Sequence, residues 1–177
     1  MTVNHSRIIA LVSAIVAAAA LRLVPHLPNF TPIGAMALFS GAYIGRRPLA
    51  FLVPLAALFL SDLVLGFYHG VATVYAATAL IVLIGYFALG HVTPLRVGLA
   101  ALASSVLFFT ITNLGMWQFS GFYPTTMAGL ETCFIAAIPF FQNTVAGDLF
   151  YSALLFGGFR LAETLAPSLR LQSAQTA

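Results

Sequence analysis

The stretch Val24–Phe39, VPHLPNFTPIGAMALF, decides how the rest of the chain is read. Three prolines, a histidine, an asparagine and a threonine lie between two apolar runs, far more than a membrane hairpin needs for its turn. Thr31 followed by Pro32 reads as an N-cap and a first-turn proline, so a helix is expected from Pro32 to Gly45. At 1.5 Å per residue those 14 residues reach about 21 Å, about 9 Å short of a ~30 Å hydrocarbon core. Arg46 and Arg47 would hold the inner end at the interface. The outer end, with its free N–H groups and positive dipole, would then stop below the outer surface. Helices that end at such a depth are a recurring way to build substrate sites in transporters. Local bilayer thinning or a tilted neighbour would account for the same shortfall.

Composition fixes the solvent. Of 177 residues, 61% are hydrophobic and 6% charged, with no lysine, against about 25% charged in a soluble domain. The chain cannot cover itself with polar groups, so it is read as an integral membrane protein in a lipid bilayer, a single transmembrane domain over 1–177. Seven arginines against four acids give a net charge of +3, too small and scattered for a nucleic-acid footprint. One cysteine excludes an intramolecular disulfide and multi-cysteine metal motifs. The N-terminal MTVNHSR-IIALVSAIVAAAA has the layout of a secretory signal, yet further spans follow it, and it is read as a retained first helix.

The apolar segments predict an all-α bundle of six transmembrane helices, over 7–24, 32–45, 48–67, 71–90, 97–117 and 134–160. Arginines collect at cytoplasmic ends. With both termini inside, Arg7, Arg46, Arg47, Arg96, Arg160 and Arg170 all fall on the cytoplasmic side, and only Arg22 lies at the outer end. The expected location is a bacterial cytoplasmic (inner) membrane.

Polar groups at membrane depth are costly and invite an explanation. Asp62 sits in the outer third of the third span, with Arg22 its natural counter-ion. Asn113 and Trp117 share a face of the fifth span with Thr110. Gln142 and Asn143 fall in the outer half of the sixth, and Asp148 near its middle. These groups occupy the outer half of the bilayer, whereas the inner halves of spans two to four are almost purely apolar. That distribution suggests a bowl open outward rather than a channel or proton wire. Each asparagine or glutamine, taken singly, is equally explained as interhelical glue. His26 and His69 read as interfacial, and Cys133 as a small apolar residue near the outer mouth. Ala10, Ala14 and Ala18 form a small-residue stripe on the first span, suited to internal packing or to a partner helix.

No Walker A, HExxH or GxSxG motif is present, and four acids leave little for acid–base catalysis, so an enzyme is not expected. No cofactor and no metal site are expected.

The blocks PNFTPIGAMALFSGAYIG (28–45), AFLVPLAALFLSDLVLGFY (50–68), TNLGMWQ (112–118) and AIPFFQNTVAGDLFYSALLFG (137–157) resemble a family of uncharacterised bacterial membrane proteins assigned to transport. In architecture the chain is also similar to the S components of energy-coupling-factor (ECF) vitamin transporters. That likeness implies a six-helix bundle with an outward pocket, and a face at Ala10, Ala14 and Ala18 that docks a transmembrane coupling subunit with its ATPases. The expected function is therefore a substrate-binding transport subunit for a small vitamin-like nutrient. Asn29, Thr31, Asp62, Asn113, Trp117, Gln142, Asn143 and Asp148 would contact the small-molecule substrate between helices 2, 3, 5 and 6. The rival readings are a structural or assembly membrane protein without a ligand, and a self-sufficient small-molecule carrier.

Overall fold

The computed structural model describes residues 5–45 and 48–170. Arg46 and Arg47, and the extreme ends of the expected 1–177 domain, lie outside the described residues. Six helices follow in order: α1 (His5–Ala20), α2 (Ile33–Ile44), α3 (Pro48–Leu65), α4 (Val71–Ala88), α5 (Pro94–Phe119) and α6 (Met127–Leu165). Short 3-10 turns at Leu21–Leu23 and Pro167–Leu169 extend α1 and follow α6. No strand occurs among the described residues.

Five of these helices are long and apolar enough to cross a membrane; α2, with 12 residues, is not. The outward surface is that of a lipid-embedded bundle, with Val64 71% and Phe87 73% exposed among many large apolar side chains. The protein is thus a helical membrane-embedded protein with five candidate spans, rather than the six read from sequence.

The short helix occupies the centre of the bundle. α2 touches α1, α3, α4, α5 and α6, and every residue from Ile33 to Gly41 is buried. Its sequence, IGAMALFSGAYI, has no polar face, which is the pattern of a helix enclosed on all sides. Two glycines let α4 approach it backbone to backbone. A Cβ at Gly41 would collide with the Val82 carbonyl, and one at Gly85 with the Leu38 carbonyl.

The packing with α3 resolves a local problem. Pro54 lies inside α3 and has no N–H to give to the Ala50 carbonyl one turn back. Ser40 Oγ of α2 donates to that carbonyl at 2.7 Å, and both groups are buried. A serine on a neighbouring helix thereby satisfies the backbone group that the proline frees.

At the α2 C-terminal end, Phe39 and Tyr43 stack edge-on and tilted against Phe156 and Phe159 of α6. Arg7 is only 3% exposed there, with its guanidinium 5.0 Å from the Phe159 ring centroid and 2.5 Å from Glu163 Oε1. Arg160 and Arg170 also meet Glu163, so three of the described arginines gather at this end.

Two boundaries depart from the sequence reading. Thr93, not a later residue, caps α5 by accepting from the Arg96 N–H, with Pro94 in the first turn. α6 starts at Met127, before the expected start of the sixth span at 134, because Thr126 caps it through the Gly129 N–H at 3.2 Å.

Candidate functional site

At the end of the bundle opposite Arg7, the connection between α1 and α2 folds over the bundle as a braced turn. The Phe30 N–H donates to the Leu27 carbonyl at 3.0 Å, Pro28 occupies the second position, and Asn29 has φ 63°. These are the marks of a type II turn, whose third position needs a positive φ that asparagine tolerates better than most residues. Asn143 Nδ2 of α6 donates to the Pro28 carbonyl at 2.9 Å, and Phe30 packs against Phe150 and Tyr151. Gly147 lets the Phe30–Thr31 backbone lie directly on α6.

Beneath this turn lies a cavity of about 630 Å³. Its walls come from the α1–α2 connection, the start of α2, the Tyr68–Gly70 turn, the start of α4, the C-terminal half of α5, the α5–α6 connection and the N-terminal half of α6. On α6 the lining follows one helical stripe, Cys133, Ala137, Phe140, Thr144 and Asp148; on α5 it follows Phe108, Thr112 and Met116. α4 supplies the wall that the sequence reading assigned to helix 3.

Asp148 stands at the cavity floor and is 3% exposed. Its Oδ2 lies 2.6 Å from Ser105 Oγ, which is also 3.0 Å from its own helix's Ala101 carbonyl. Of these two contacts, the one to Asp148 is the shorter. The carboxylate also presses on the first turn of α2, where Gly34 is the only residue type that fits: a Cβ there would collide with the Asp148 carboxyl. A carboxylate at a helix N-terminus is favoured by the dipole. Pro32 is the N-cap of α2 and no side chain caps it, so Thr31 lines the cavity instead of capping the helix.

Asp62 has a different setting. It is fully buried, its Oδ1 lies 2.9 Å from Arg22 Nη1, and the Tyr75 O–H donates to its Oδ2 at 3.0 Å. Arg22 also donates to Ser61 Oγ. This cluster joins α1, α3 and α4; Arg22 lines the cavity and Asp62 does not. Tyr68, half-exposed at the cavity rim, has its phenol pKa raised, first by partial burial and then by the Asp62 charge.

Among the sequence candidates, Asn29, Thr31, Asn113 and Asp148 line the cavity together. Asn113 Nδ2 donates to the Phe109 carbonyl at 2.7 Å, which keeps the side chain along its own helix. Trp117 gives its indole N–H to the Pro124 carbonyl at 2.9 Å and lies off the lining, Asn143 holds the Pro28 turn, and Gln142 is exposed away from it. Of the alanine stripe, Ala18 is buried, and Ala10 and Ala14 are partly buried against the core. Sequence reasoning missed Gly34, Thr73, Ser105 and Thr144. Following the i, i+4 stripe back from Asp148 would have found Thr144 and Phe140. No cluster of metal-ligating side chains occurs among the described residues.

The fold and site define a polytopic helical membrane protein with a cavity open at one end, built around a short central helix. The chain belongs to a family of unknown function, DUF6580, whose model matches residues 2–169. Among curated proteins and among solved structures, nothing matches it.

Proposed function

We propose that the protein is a substrate-binding transport subunit that takes up a small vitamin-like nutrient through this cavity. The observation that carries the reading is the cavity: about 630 Å³ falls within the roughly 300–1,000 Å³ range of ligand pockets, and polar groups converge on aromatic walls. Arginines mark cytoplasmic ends, so the Arg7, Arg160 and Arg170 end faces the cytoplasm, both termini are cytoplasmic, and the cavity opens outward in the bacterial inner membrane. The Phe39–Tyr43–Phe156–Phe159 cluster then seals the path below. In this reading an ECF-like coupling subunit with ATPases supplies the energy. Such a subunit would dock on α1 at the Ala10, Ala14 and Ala18 face, of which Ala10 and Ala14 keep partial exposure.

Purified protein is expected to retain a small metabolite, identified by mass spectrometry. Ala137→Trp, which fills the cavity from α6, is expected to abolish both retention and uptake of that metabolite by cells. A protein that retains nothing, together with cells whose metabolite uptake is unchanged by the substitution, refutes the reading. One observation favours a structural role instead: Arg22, Asp62, Tyr75 and Asn143 all find partners inside the protein. Unchanged metabolite uptake in cells that lack the protein, with a purified protein that retains nothing, would favour that rival.

A further inference from the structure

We propose that the ligand carries a protonated nitrogen, an amine or amidine, on a ring-bearing body, and that Asp148 is its counter-ion. This rests on the transport reading above and narrows its substrate class. The charges around the cavity lead there. Arg22 and Asp148 both line it, but the Arg22 charge is already matched by Asp62 at 2.9 Å. Asp148 has no ion-pair partner among the described residues, and the one side chain that donates to it is the neutral Ser105. The N-terminus of α2, pressed on the carboxylate at Gly34, offers only about half a unit of positive charge. A buried carboxylate with so little compensation is costly in a low-dielectric setting. A cation entering the cavity would repair the deficit, because Asp148 belongs to the cavity wall rather than to the sealed core. Phe108, Phe109 and Phe140 line the same space, and ring faces attract both a flat apolar body and a neighbouring cation.

The test uses the full chain in nanodiscs and three probes with one ring and different charges: 2-phenylethylamine, 2-phenylethanol and phenylacetate. Binding is read as a saturable rise in the unfolding midpoint, followed by Trp117 fluorescence. The amine is expected to bind at least tenfold more tightly than the alcohol, and the acid most weakly. Asp148→Asn is expected to bring amine and alcohol together. Ser105→Ala, which keeps the carboxylate and removes its donor, is expected to tighten the amine and leave the alcohol unchanged; it decides the matter if Asp148→Asn does not fold. Binding that favours the alcohol or the acid, binding of none of the three, or an amine preference that survives Asp148→Asn overturns the cationic class. A metabolite retained by the wild type and lost in Ala137→Trp would then still uphold the transport reading.

Discussion

Asp62→Asn removes one charge from the Arg22–Asp62 pair while keeping the side chain's shape and an oxygen to accept from the Tyr75 O–H. Arg22, 7% exposed, would be left with Ser61 Oγ and the Leu58 carbonyl, the latter at a long 3.4 Å. Removing one partner of a buried ion pair costs about 3–5 kcal/mol, because the other charge stays uncompensated. Replacing both charges avoids that penalty, so Arg22→Met combined with Asp62→Asn should recover most of the loss. The assay is unfolding by sodium dodecyl sulfate in mixed micelles, read by the fluorescence of Trp117, the one tryptophan of the chain. The double-mutant cycle isolates the pair from the single effects. A single substitution within about 0.5 kcal/mol of wild type, the range of ordinary surface changes, would refute the assignment of Asp62 as a buried structural anion. So would a double variant whose loss equals the sum of the single losses.

Ser40→Ala orphans the Ala50 carbonyl and should cost about 1–3 kcal/mol, and adding Pro54→Ala should restore most of it by supplying an N–H within α3; equal losses with and without Pro54→Ala would break the link. Gly85→Ala forces a methyl against the Leu38 carbonyl and should destabilise by about 1–3 kcal/mol or more in the same unfolding assay, with Leu83→Ala, which faces lipid, as the quiet control. Asn29→Gly should leave the lid turn intact, whereas Asn29→Val should cost about 1–2 kcal/mol for the positive φ, measurable as faster proteolysis between Val24 and Thr31.

What could be read from the sequence is what composition and period carry. An apolar run long enough to span marks α1, α3, α4 and α5 whatever surrounds them, and their observed limits lie within a few residues of the expected ones. Caps were less readable because the same dipeptide means different things in different surroundings. Thr93–Pro94 caps and starts α5, whereas at Thr31–Pro32 the N-cap of α2 is Pro32 itself, with the Asp148 carboxyl, remote in sequence, packed against Gly34 of the first turn. The site divided on the same ground. Asp148 and Asn113 could be named from their depth alone, but depth does not say which way a side chain turns. Trp117 and Asn143 were drawn to carbonyls at Pro124 and Pro28, contacts that depend on where two loops come to rest. Gly34 was invisible because its importance is the space it leaves.

The cavity follows from the length of α2. Twelve residues reach about 18 Å, which leaves about 12 Å of a ~30 Å core unfilled. The C-terminal end is held at the arginine-rich face, because Tyr43 stacks on Phe159 beside Arg7. The whole deficit therefore falls at the other end, above Gly34 and Asp148. The cavity lies at that end, beneath the Pro28–Thr31 turn and walled by the phenylalanines of α5 and α6. It needs no special packing defect: five longer helices close around a short one, and the space where the short one stops is the site.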